Sequence, residues 1–166
     1  NIDQARADIE QWITNFVEVP HPALGGWPPC PYAKKARLER DFEVRLAIDP
    51  YFDLVNLSMD GLSGKSVIIY VYDADYWSYD QFSFSLKCAN LDYLLKRDIL
   101  ALEDHPADPE WVNGICMNQG TYAMAMCQSV SDLNAKAKHM ASKGFYDSWP
   151  EEYLQALFQH REDPRK

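Results

Sequence analysis

Three short apolar runs, each ending in acidic residues and separated by helical patterns, constrain this chain more than anything else in it. They read Val44-Arg45-Leu46-Ala47-Ile48-Asp49, Ser66-Val67-Ile68-Ile69-Tyr70-Val71-Tyr72-Asp73 and Ile99-Leu100-Ala101-Leu102-Glu103-Asp104-His105. The second is dense in β-branched and aromatic side chains, as in a strand covered on both faces. Helical segments between such runs carry the chain back across the sheet and make the strands parallel. The expected fold is a single α/β domain with a small, mainly parallel βαβαβ sheet, packed helices and a helical C-terminus. Right-handed crossovers are expected.

The pattern divides the chain as follows. An N-terminal helix is expected over 3–18, with Ile9, Trp12, Ile13, Phe16 and Val17 on one face. A Pro-rich loop over 20–31 cannot continue it, and Leu24 and Trp27 within that loop are expected to pack on the body. The sheet core spans 42–105, with a helix over 51–60 closed by Gly61 and a second helix opened by the Ser78–Gln81 capping pattern and running to Lys96. Within that second helix Phe82, Phe84 and Leu86 also alternate as a strand would. The C-terminal helices occupy 121–160. Tyr122, Met126, Val130, Leu133, Ala137 and Met140 form a helical stripe over 121–143, with Gly144 as its left-handed stop. Ser148 and Glu151 form another capping pattern.

At 166 residues and 47% hydrophobic content the chain can build one sizeable core. A formal net charge of -9 disfavours nucleic acid and anionic membrane surfaces as partners. It suits cation binding, and it suits plain solubility as well. No apolar run reaches the roughly 20 residues of a membrane span. The cysteines at 30, 88, 116 and 127 include no C-x-x-C pair. Reduced thiols in a cytoplasmic protein are therefore expected.

In open parallel sheets ligands bind beyond the carboxyl ends of the strands. Asp49, Asp73, Glu103, Asp104 and His105 are thus expected on one rim, where carboxylates and an imidazole can ligate a divalent metal ion or run acid–base chemistry. A competing role for Asp49 and Asp73 is capping of the helices that follow them. Cys30 is a candidate nucleophile or redox thiol. If a helix starts at Pro31, the cysteine takes its N-cap, where the helix dipole and Lys34, Lys35 and Arg37 lower the thiol pKa. The alternative for it is a small buried hydrophobe. His105, held extended by Pro106, is an acid, base or ligand, or else a hydrogen-bonded structural histidine. Asn118, in the turn Asn118-Gln119-Gly120-Thr121, is a candidate for orienting substrate or for capping the next helix.

The arrangement resembles a bacterial family called domain of unknown function 1415. The likeness is carried by Cys30-Pro31-Tyr32-Ala33, by His105-Pro106 after the third strand and by Asn118 in a turn before a helix. It implies that Cys30, His105 and Asn118 converge, and supplies no established chemistry. The chain departs from the family pattern in the Pro/Gly-rich stretch before Cys30 and in Gln119-Gly120 where the family carries Arg-Ser.

Together these readings lead to a small soluble enzyme acting on a small-molecule substrate at the strand ends. Cys30, His105 and Asn118 would be catalytic, and Asp49, Asp73, Glu103, Asp104 and His105 the holders of a divalent metal. The alternative is a non-catalytic protein-binding or adaptor domain using Trp27, Pro28 and Pro29, or the tyrosine-rich 70–79 region, and a homodimer paired through its C-terminal helices is a further expectation.

Overall fold

The computed structural model describes all residues, 1–166. Its four-stranded sheet is built from β1 (Phe42–Leu46), β2 (Val67–Tyr72), β3 (Ile99–Asp104) and a later strand, Ala123–Ser129, in the order β1–β2–Ala123–Ser129–β3. Two short strands, β4 (Trp111–Val112) and β5 (Ile115–Cys116), make a separate hairpin, so the inserted strand is β6. β1 and β2 pair in parallel, and β6 runs antiparallel to both β2 and β3. The sheet is therefore mixed. This corrects the mainly parallel βαβαβ expectation, in which a helix took the place of β6.

The reason lies in residues 123–128. Alanine and methionine favour helices when nothing else decides. Here Ala123, Ala125 and Cys127 face one side of the sheet and Met124, Met126 and Gln128 the other, a small/large alternation of period two. On the small side, Phe82 and Leu86 of α4 (Tyr79–Ala89) and Leu54 and Leu57 of α3 (Pro50–Asp60) reach the strand and join one buried cluster with Tyr70 and Tyr72. On the large side, Met124 packs with Ala5, Ile9 and Ile13 of the N-terminal helix. Both edges of β6 are paired, so its backbone N–H and C=O groups are satisfied by β2 and β3.

Other boundaries follow local chemistry. The N-terminal helix α1 (Ile2–Trp12) is capped by Asn1 and continues as a wider turn through Ile13–Val17. Asp49 accepts from the N–H groups of Tyr51 and Phe52 and opens α3, with Pro50 in its first turn. Ser78 caps α4 through the Gln81 N–H. The expected long C-terminal helix shrinks to α5 (Val130–Ser142), capped by Ser129 and stopped at Gly144, whose φ is 81°. The expected Ser148–Glu151 capping pattern does not form: Pro150 precedes the last helix, α6 (Glu151–Leu157), and no side chain caps it.

The Pro-rich loop docks firmly. Leu24 is fully buried with Val112, Phe145 and Trp149, and Trp27 meets the Phe145 ring edge-on at 5.9 Å. Asn113 donates to the carbonyls of both Ala23 and Ser148, tying the loop to the C-terminal layer. No helix is long and apolar enough to cross a membrane.

Candidate functional site

Between the large-residue face of the sheet and the C-terminal layer lies a cavity of roughly 560 Å³, lined mostly by apolar side chains. Alternate residues of neighbouring strands make its floor: Val67 and Ile69 of β2, Met126 and Gln128 of β6, Leu102 and Asp104 of β3. Helix α5 contributes Ala137 and Met140 to the opposite wall, followed by Phe145, Tyr146, Trp149 and Tyr153. Trp12 and Phe16 close one flank, and Cys30 through Ala33 close another. The volume falls in the range of ordinary small-molecule sites, roughly 300–1,000 Å³.

Three buried side-chain nitrogens in the protein have no hydrogen-bond partner: Nε1 of Trp12, Nε1 of Trp149 and Nε of Arg161. All three belong to side chains lining this cavity. Buried donors are almost always paired, so a cavity that collects all the exceptions calls for an explanation.

One end of the cavity is acidic. Asn118, at the centre of this end, donates through Nδ2 to Asp104 Oδ1 at 2.9 Å and to the carbonyls of His105 and Asp108, while its Oδ1 accepts the Glu110 N–H at 2.6 Å. Its polar atoms are therefore committed to the 104–118 loop. It ties Glu110 to the end of β3, while the helix it was also expected to cap begins at Val130 and is capped by Ser129. The Glu110 carboxyl lines the cavity, and only the backbone of this residue takes part in the protein's hydrogen bonds. Burial, and then the charges of Asp104, Asp108 and Glu103, push its pKa up to about 7. Asp104 is only 7% exposed, and burial raises its pKa too, against hydrogen bonds from the Gln119 N–H and Asn118.

Cys30 lies on the cavity wall and is an exposed residue. Desolvation by the neighbouring protein drives the thiol pKa up despite the N–H groups of Tyr32 and Ala33 and the nearby Lys136. The helix α2 (Ala33–Leu38) starts three residues beyond Cys30, with Tyr32 at its N-cap position. The expected N-cap cysteine with a lowered pKa is thus corrected on both counts, and the resting group is a thiol.

His105 takes the second of the two roles expected for it, that of a hydrogen-bonded structural histidine. It is 3% exposed, its Nε2 lies 2.7 Å from the Trp77 carbonyl oxygen, and its Nδ1 accepts the Ala107 N–H at 3.0 Å. These partners fix the neutral Nε2–H tautomer and leave no lone pair for a metal or a substrate proton.

The remaining rim residues scatter. Asp49 caps α3, and Asp73 accepts from the N–H groups of Asp75 and Tyr76. Glu103 points to the opposite face of the sheet, where it accepts from Tyr79 and Ser83 of α4. No three His, Cys, Asp or Glu side chains come together in a way that could hold a metal ion, so the expected five-residue metal set is not assembled. Of the candidates named from sequence, Cys30, Asp104 and Asn118 border the cavity, Glu103 adjoins it with its carboxylate turned to the other face of the sheet, and His105, Asp49 and Asp73 stand apart.

Glu110 and Arg161 escaped the sequence reading. Glu110 sits in a polar loop with Pro109 before it and Trp111 after it, and Arg161 in a charged stretch beyond α6. Neither context differs from ordinary surface. Comparison with known proteins adds nothing to the geometry, since no family model, curated protein or solved structure matches this chain.

Proposed function

We propose that this chain binds a small amphipathic organic molecule in the cavity and acts on it by proton transfer, with Glu110 as the group that gives and takes the proton. The observation that carries this reading is the convergence of one apolar cavity with all the unpartnered buried side-chain nitrogens. A carboxyl whose pKa sits near neutral, with no hydrogen bond to hold it in either state, has the property a general acid–base group needs. Burial, with the neighbouring charges of Asp104, Asp108 and Glu103, keeps the Glu110 proton on, and Asn118 holds the Glu110 backbone in place. Cys30 shares the chamber as a neutral thiol.

The test fills the cavity. A dye that fluoresces in apolar surroundings is expected to bind the wild-type protein saturably at one site. Ala137→Trp and Met126→Trp place an indole inside the chamber and are expected to abolish that binding in protein that still melts cooperatively. Undiminished dye binding in both variants overturns the reading. If the chamber is confirmed, Glu110→Gln is the variant to compare with wild type once a substrate is in hand, and unchanged turnover removes the proton-transfer role.

A further inference from the structure

The cavity wall also carries a guanidinium without a carboxylate counter-ion. Arg161 lines the chamber and takes part in none of the protein's ion pairs. Its contacts are a 3.5 Å approach of Nη2 to the Leu133 carbonyl, the Tyr146 hydroxyl beside it and the face of Phe158 at 5.0 Å. Its Nε is buried with no partner. Burial works against the charge and lowers its pKa, yet a guanidinium stays protonated at any physiological pH. A half-buried cation held this way is costly unless something anionic completes it. Glu110 differs, because a carboxyl near its pKa can shed its charge.

We infer that the molecule occupying this cavity is an organic monoanion, a carboxylate on an apolar body, whose carboxylate is received by Arg161 with Tyr146 beside it. This rests on the cavity reading above and names the class of its ligand. The small number of unpaired cations selects a single charge over a phosphate-like dianion. Lys136, the cation nearest to Cys30 on the same wall, is already neutralised by Asp132 at 2.8 Å and lies over the Tyr32 ring. Lys35 also borders the cavity but is exposed to solvent, which leaves Arg161 as the one part-buried cation there without a carboxylate partner, and its planar fork matches the two oxygens of a carboxylate. The apolar body would then run along Met126 and Leu102 toward Glu110.

The test uses probes that share one apolar tail and differ only at the head: octanoate, octylamine, octanol and octyl phosphate, each titrated into the full chain at neutral pH by calorimetry. Octanoate is expected to bind about tenfold or more tighter than octanol and octylamine, the gain of a charge-assisted pair. Arg161→Gln is expected to erase that preference while leaving octanol within about twofold of its wild-type affinity, and Arg161→Lys to keep part of it. Equal affinities, or a preference for the amine, overturn the anion assignment and leave the cavity reading standing. Tighter binding of octyl phosphate overturns the single-charge assignment. Failure of all four to bind wild type overturns the cavity reading and this one with it. The ranking on wild-type protein decides the matter even where a variant folds poorly.

Discussion

His105 and Trp77 are joined by a 2.7 Å hydrogen bond from the imidazole Nε2 to the Trp77 carbonyl, which ties the end of β3 to the turn that opens α4. The ring also sits against Phe82 and Tyr79, with centroids 5.8 and 6.0 Å away. Its work is therefore structural. His105→Ala removes a buried ring and strands the Trp77 carbonyl and the Ala107 N–H, a loss of about 2–4 kcal/mol. Urea denaturation measures it. A loss below about 0.5 kcal/mol would show that the ring is dispensable to the fold.

Glu110 makes stability depend on pH in an unusual direction. Its folded pKa of about 7 lies above its ordinary value of 4.5. Between those values the folded chain holds a proton that the unfolded chain releases, so stability falls as pH rises from about 4.5 through 7. Allowing for solvent that reaches the carboxyl, the loss is roughly 2–3 kcal/mol. Glu110→Gln is expected to flatten this slope and to be the more stable protein at pH values above about 8. Parallel stability profiles for the two proteins between acid and neutral pH would contradict it.

Cys30 is expected to react slowly. Because burial raises its pKa, the thiolate fraction at neutral pH is below that of a free cysteine, and alkylation by iodoacetamide should lag behind a model thiol. The rate should keep climbing with pH beyond the usual cysteine range near 8.5. Mass spectrometry of the modified peptide resolves Cys30 from the other three cysteines. Faster alkylation than the model thiol at neutral pH would reverse the assignment.

Asn118→Ala breaks the tie between Asp104 and Glu110. The variant is expected to lose about 2–3 kcal/mol, since it leaves the Glu110 N–H and one Asp104 oxygen without their partner. Hydrogen exchange should quicken across the 105–118 loop while β1 and β2 stay protected. Carbon-detected titration of Glu110 should also show its pKa dropping toward 4.5 as the loop lets in water. A loop that exchanges no faster than in wild type would refute the role.

How much of this was legible in the chain depends on what each residue could signal by itself. Asp49-Pro50 and Ser78-x-x-Gln81 read correctly because capping is a local interaction, decided within four residues. The run of β2 read correctly because its clustered Val, Ile and Tyr favour a sheet, and those of β1 and β3 because each is a short apolar run stopped by acidic residues. Residues 123–129 misled because Ala and Met have helical propensity, and only pairing with β2 and β3, more than 20 residues away for β3's last residue to β6's end, overrules it. The candidate site was harder still. Asp104 and Asn118 were picked out, but their partner Glu110 is ordinary in sequence and acquires its character only from the apolar wall it faces. His105 looked catalytic because the identity of a histidine's two hydrogen-bond partners is a tertiary fact.

The placement of β6 also bears on how the chain reaches this state during synthesis. The ribosome emits β1, β2 and β3 well before Ala123–Ser129, yet β3 has no contact with β2 as a sheet neighbour until β6 slides between them. Without Ala123–Ser129 the sheet reduces to a two-stranded ribbon and a lone strand, each with a bare edge, and the cavity floor lacks its centre. Closure of the sheet and completion of the cavity floor both wait on β6, and until it pairs the bare strand edges are open to aggregation.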